Sequence, residues 1–163
     1  MEGSSSDSKI MAVIRIRGLI DARPEVRATM EMLRLKRKFR ATLVPNEAAY
    51  LGMLNRIKDY STFGEIDLAT LSLLLRNRGE LKDGGRLTDE WLAKNTEFKT
   101  VEELAKAIID GKVRFHKIDW LKPYFRLRPP RKGFKRSTKR AWRDKGELGY
   151  RGNDINELIR RMM

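Results

Sequence analysis

Side chains able to do covalent or acid–base chemistry are few in this 163-residue sequence. It has no cysteine, which removes thiolate nucleophiles, thiolate metal sites and disulfides. Its one histidine, His116, lies in Val113 to Leu121 (VRFHKIDWL), a stretch that reads as extended and offers no second imidazole. A structural role for His116 therefore outweighs a ligand or general-base role. Acids gather as Asp89-Glu90 and Glu102-Glu103 at predicted helix starts, where the helix dipole and capping account for them. No set of carboxylates converges for two-metal chemistry, and no zinc-protease pair, serine nucleophile elbow or dinucleotide fingerprint is present. The paired glycines of LKDGGRL lack the Lys-Ser/Thr ending of a phosphate-binding loop. The sequence reads as a protein that is not an enzyme, with no cofactor, no metal and no small-molecule substrate.

Cations are the abundant resource. Arg126 to Lys145 (RLRPPRKGFKRSTKRAWRDK) holds ten Lys or Arg against Asp144 alone, so nine of the chain's fourteen net positive charges lie in these 20 residues. Pro129, Pro130 and Gly133 keep the first half from being a regular helix. Phe134 and Trp142 stand among the cations, where flat rings can stack on bases or wedge into an RNA fold. A run of like charge is often a solvated tail. Here an amphipathic segment follows the run, and rings in a solvated tail would be idle. An arm that binds nucleic acid is the better reading.

The rest of the sequence must position that arm. A length of 163 residues suits one domain, or one small domain with extensions, and a pI near 10.3 favours an anionic polymer as partner. No apolar run reaches bilayer-spanning length and no signal-peptide stretch opens the chain, so a soluble, cytosolic protein without a membrane partner is expected.

Residues 1–9 (MEGSSSDSK) are small and polar and are expected to be disordered. Residues 10–66 read as a small α/β core. A largely buried strand runs from Ile10 to Arg17, with Ala12, Ile14 and Ile16 on one face and Val13, Arg15 and Arg17 on the other. Pro24 opens a helix with a Val26, Met30, Leu33 stripe, which Lys36, Arg37 and Lys38 are expected to close. That trio fits a helix C-terminus as well as it fits RNA. A second strand ends at Pro45, Asn46 is placed to cap a helix with a Tyr50, Met53, Leu54, Ile57 stripe, and Tyr60 to Ile66 makes a third strand weakened by Gly64. A three-stranded sheet with both helices on one face follows, its other face free for a partner.

Residues 67–121 read as a mainly helical extension. Leu68, Leu71, Leu74 and Leu75 form one stripe, stopped at Gly79, and Thr88 and Thr100 head two further helices. Residues 122–152 are the basic arm. Residues 153–163 form a last helix whose Ile155, Leu158, Ile159 and Met162 should dock on the body and so fix the far end of the arm.

Three stretches carry a family resemblance. Val13 to Gly18 (VIRIRG) with the Pro24 helix, Pro123 to Phe134 (PYFRLRPPRKGF) and Ile155 to Met162 (INELIRRM) resemble the large-subunit ribosomal protein family numbered thirty in bacteria and archaea and seven in eukaryotes. The likeness spans nearly the whole chain after Lys9, and the length and short acidic-polar start fit archaeal members best. Lys132 stands where eukaryotic members commonly have the first of two glycines after PPR. The resemblance implies an α/β (α+β) fold of strand-helix-strand-helix-strand order, a ferredoxin-like half, with the helical extension and basic arm added. It also implies a ribosome-bound structural constituent in the cytoplasm. Its partners would be large-subunit rRNA and neighbouring ribosomal proteins, with the small rRNA of that subunit as a second candidate.

Side-chain chemistry then nominates the contacts. On the body these are Arg15, Arg17, Lys36, Arg37 and Arg40. On the arm they are Arg128, Arg131, Lys132, Lys135, Arg136, Lys139, Arg140 and Arg143, with Phe134 and Trp142 as wedges. A ribosome-assembly or nucleic-acid-compacting protein would share this charge pattern. Preference for folded rRNA over duplex DNA separates the two.

Overall fold

The computed structural model describes residues 10–163, so the tail expected to be disordered lies outside the described residues. The core opens as the periodicity predicts. Strand β1 (Ile10–Arg15) leads to α1 (Pro24–Met32), β2 (Arg40–Pro45), α2 (Ala48–Ile57) and β3 (Ser61–Glu65). Strands β2 and β3 flank β1, both antiparallel to it, with Ile14 opposite Ala41 on one side and Thr62 on the other.

The extension supplies α3 (Leu68–Arg78), α4 (Asp89–Asn95) and α5 (Val101–Ile109). Caps set these starts: Asp67, Thr88 and Thr100 accept hydrogen bonds from the backbone N–H groups of Thr70, Trp91 and Glu103. The arm and C-terminus then enlarge the sheet. Strand β4 (Phe125–Arg126) adds to β2, while β5 (Ser137–Ala141) and β6 (Gly146–Tyr150) precede the last helix, α6 (Ile155–Met162). The final sheet has six strands in the order β4-β2-β1-β3-β6-β5, with β6 parallel to β3.

The expected free face of the sheet is not free. All six residues of β1 are buried. Met11 and Val13 pack under α1 and α2 with Val26, Met30, Leu54 and Ile57. Ala12, Ile14 and Ile16 face a second, larger core filled by Leu71, Leu75, Leu104, Ile108 and the α6 stripe. A strand with two apolar faces needs a cover on each, and the extension provides the second. Alternation within one strand cannot reveal that cover, because the residues that form it lie far along the chain.

Local differences have local causes. Helix α1 ends at Met32, and Arg34 then takes a left-handed φ of 64°, so Lys36, Arg37 and Lys38 lie in the loop before β2 and do not serve a helix C-terminus. Helix α2 takes Glu47 as its N-cap, not Asn46, and no side chain bonds its first turn. The segment around His116 is a short 3-10 turn, Phe115–Lys117, rather than extended chain. The cap at Gly79 is extended (φ −68°), and close packing is what requires glycine there, because a Cβ would overlap the Leu75 carbonyl oxygen. Gly64 likewise marks a close approach, since a Cβ would run into the Gly152 carbonyl oxygen.

Helix α6 docks as expected. Ile155, Leu158, Ile159 and Met162 are each at most 1% exposed. Leu158→Ala should lower stability by about 2–5 kcal/mol through reduced burial and a residual cavity, measured by denaturant unfolding. A loss under about 1 kcal/mol would mean the helix contributes little.

Candidate nucleic-acid interface

The cations divide into those the fold uses internally and those it presents. Arg15 belongs to the first group, which corrects its nomination as a phosphate ligand. It is 7% exposed, and its guanidinium donates to the backbone oxygens of Leu35 (3.1 Å) and Arg17 (3.0 Å). Arg15 lies on the face that carries α1 and α2, at the end of β1 where the sheet meets the loop after α1. The charge is spent closing that corner. Arg17 is half-buried, 5.4 Å from the Tyr60 ring centroid, and Arg40 lies 4.3 Å over the Tyr124 ring. Lys36 and Arg37 are exposed.

The arm is not a free strap. Leaving β4, the backbone N–H groups of Arg128 and Arg131 donate to the carbonyl oxygens of Met162 and Arg161, both at 2.9 Å, so the arm caps the C-terminal end of α6. Arg161 reaches back to the carbonyls of Arg131, at 3.3 Å, and Gly133. This gives Arg161 a structural task. Pro129-Pro130 then turns the chain through Lys132 and Gly133, both left-handed (φ 63° and 73°). A lysine in this conformation is uncommon.

Both candidate wedges face inward in part. Phe134 is half-buried, packs against the larger core and lies 6.2 Å from the Phe39 ring. Trp142 has two guanidinium groups over its ring, Arg136 at 4.2 Å and Arg151 at 4.4 Å. Arg151 in turn forms a buried ion pair with Glu147 (2.7 Å, both side chains 3% exposed) and donates to Thr62 Oγ1 at 2.8 Å. Burial pushes the Arg151 guanidinium below its ordinary value, and the Glu147 carboxylate partly offsets this. The other oxygen of Glu147 accepts the Arg136 backbone N–H at 3.0 Å. Thus Glu147 ties the rising arm, the returning strand β6 and β3 at one point.

What remains outward is cationic. Arg128, Arg131, Lys132, Lys135, Lys139, Arg140 and Arg143 are exposed, while Arg136 is half-buried beside Trp142. Of these, Lys135 alone forms an ion pair among the described residues, with Glu157 at 3.4 Å.

At the root of the arm the fold brings Arg78, Arg86, Arg126 and Arg160, which sequence reading did not nominate, beside Arg128 and Arg131, which it did. Arg78, Arg86, Arg126, Arg128, Arg131 and Arg160 line one open cavity of 790 Å³ with Glu80. They come from the end of α3, the turn after Gly85, the arm and α6, so no window of sequence shows them together. The signal in the sequence is an arginine near the C-terminus of each of two helices, Arg78 and Arg160, and the helix dipole alone would account for both. Glu80 is held below the ordinary carboxylate range, first by its hydrogen bond from Arg126, and it also pairs with Lys122 at 3.7 Å. His116 lies elsewhere, its Nε2 3.2 Å from Thr42 Oγ1, and burial pushes its pKa down. Among the described residues no group of three or more His, Cys, Asp or Glu could hold a metal ion.

A family model described as ribosomal protein L30p/L7e matches residues 11–60. The large ribosomal subunit protein uL30 of Korarchaeum cryptofilum is 60% identical over 160 residues, covering 98% of this chain and 99% of that protein. The uL30 proteins of Staphylothermus marinus (49% identical; 94% and 98% covered) and Archaeoglobus fulgidus (43%; 94% and 99%) are similar over the same extent.

The buried pair gives a sharp test. Glu147→Ala should cost about 3–5 kcal/mol, because it strands a buried guanidinium, and adding Arg151→Met should recover part of that loss. Denaturant unfolding of both variants measures it. A double variant less stable than Glu147→Ala would show that Arg151 is held by other contacts.

Proposed function

The chain belongs to the ribosomal protein L30p/L7e family, and from that premise we propose that its outward cationic face grips folded large-subunit rRNA. The protein is a structural constituent of the large ribosomal subunit and not an enzyme. Its place is on the ribosome, among rRNA and other ribosomal proteins. The cytoplasm is the corresponding compartment, and no helix among the described residues is long and apolar enough to cross a membrane.

The observation that carries the reading of the interface is the exposure of the arm cations on a backbone pinned at both ends. Seven of the eight cations nominated on the arm are exposed. Arg128 and Arg131 are hydrogen-bonded to α6, and the Arg136 N–H to Glu147. A pre-ordered cationic surface loses little conformational freedom when a polyanion docks, so more of the electrostatic gain is retained as affinity. Residues 10–66 act as the body that supports this surface, 67–121 as the second cover of the sheet, and 122–152 as the RNA-facing arm. Lys36 and Arg37, with Arg40 and Arg17 at the rim, extend the interface onto the body. Large-subunit rRNA is the partner of first choice, and the small rRNA of that subunit is a second that the same surface would accept.

Changing Lys132, Lys135, Lys139, Arg140 and Arg143 to Gln should weaken rRNA binding and reduce the salt slope by roughly 0.7 for each phosphate no longer neutralised, up to about 3.5 in all. Binding titrations at several salt concentrations, with co-sedimentation of large subunits after a high-salt wash, provide the measurement. An unchanged slope would assign the arm cations to solvent.

A further inference from the structure

The cavity at the root of the arm differs from the arm surface in kind. The arm cations are consecutive in sequence and would stay together in an unfolded chain. The cavity joins Arg126, Arg128 and Arg131 of the arm to Arg78, Arg86 and Arg160 from elsewhere in the chain, and only folding assembles that set. Its one lining acidic side chain, Glu80, is already engaged by Arg126 through two hydrogen bonds and by Lys122. Among the described residues, Arg78, Arg128, Arg131 and Arg160 form no ion pair. Arg86 donates to the Asn77 carbonyl at 2.8 Å, which orients its guanidinium without neutralising it.

The walls are fixed independently of any ligand. The backbones of Arg128 and Arg131 are bonded to the end of α6, which also carries Arg160. Gly79 is packed against the last turn of α3 so closely that a Cβ would clash, and this sets Arg78 beside the Arg86 turn. The fold therefore holds like charges together at a cost. Burial, and then the nearness of Arg128 and Arg86, push the Arg78 guanidinium below its ordinary value. Guanidinium forks match phosphate oxygens two at a time, and a cavity of 790 Å³ has room for more than one phosphate.

We propose that this arginine basin is a discrete site for two closely spaced phosphate groups, where RNA backbone turns sharply or two strands meet, and that filling it stabilises the fold. This rests on the rRNA-binding reading above and adds the chemistry of one site within it. Glu80 already engages Arg126, so five guanidiniums remain, and two phosphates offset more of that charge than a single monovalent anion can. Because the basin exists only in the folded chain, its ligand binds the native state and not the unfolded one, and stability must rise with ligand concentration.

Inorganic pyrophosphate is the probe. With the full chain, thermal unfolding is followed in pyrophosphate, in orthophosphate and in chloride at matched ionic strength. Near-saturating pyrophosphate should raise Tm by roughly 5–10 °C over chloride, with orthophosphate giving less. Arg78→Gln with Arg160→Gln should remove most of that rise, and the exposed Arg160→Gln alone should remove part of it. Lys94→Gln with Lys112→Gln, which deletes the same charge at exposed residues that do not line the basin, should leave it intact. A pyrophosphate effect equal to that of chloride, or one reduced equally by the basin and control pairs, overturns the proposal. Binding of rRNA by the same proteins separates this failure from that of the wider reading. If the parent chain binds rRNA but shows no pyrophosphate effect, the basin site fails and the ribosomal role stands. A pyrophosphate effect abolished in the basin pair, in a chain whose rRNA binding proved insensitive to the arm cations, would support the basin and refute the arm.

Discussion

The structure depends on the docking of an eight-residue helix, α6. A helix this short is not stable alone in water. It forms because Ile155, Leu158, Ile159 and Met162 complete the larger core against α3 and the sheet. Docking points its last carbonyls at the arm, and these accept the N–H groups of Arg128 and Arg131. One apolar contact thereby orders two structures of opposite character, the buried second core and the cationic surface. Without it the arm would have to lose conformational freedom at the moment of binding.

Charge sets the opposing constraint. Ten cations in 20 residues repel each other, and they cannot be buried without partners. The fold resolves this by leaving most of them in solvent and tying the segment to the body through a buried charge pair just beyond it, Glu147 with Arg151. That pair joins β6 to the start of β5 through the Arg136 N–H and to β3 through Thr62. It also lays Arg151 on Trp142, so the indole becomes part of the arm's support. Pairs of this kind are weak sources of net stability but costly to break, and they favour one arrangement over others. A strongly cationic segment needs that selectivity, since few apolar contacts are available to it.

Much of the body was legible in the sequence because its signals are local. Strands β1 to β3, the stripes of α1, α2, α3 and α6, and the caps at Thr88 and Thr100 follow from periodicity and short-range hydrogen bonding, except that Leu68, read as part of the α3 stripe, lies in the first turn and is 42% exposed. Nonlocal features escaped. Alternation marks Ile14 as buried but cannot say that α3, α5 and α6 provide its cover. Arg15 alternates with apolar residues and so resembles a surface cation, yet a carbonyl 20 residues away takes its guanidinium indoors. The interface divides in the same manner. The arm cations are contiguous and readable, while Arg78, Arg86 and Arg160 meet Arg128 only in three dimensions. Phe134 and Trp142 stand out in the sequence as rings among charges, but their neighbours Phe39 and Arg151 are distant along the chain.

Helix α6 pre-orders the arm in the free protein, and every step from fold to RNA binding rests on that. Amide hydrogen exchange at Arg128 and Arg131 tests it most directly, because their N–H groups donate to Met162 and Arg161 and to nothing in the arm itself. Both amides should be protected without RNA, and they should lose protection together with α6 when Leu158→Ala loosens the helix. Exchange of Arg128 and Arg131 at the rate of an unstructured chain, with α6 still protected, would contradict it.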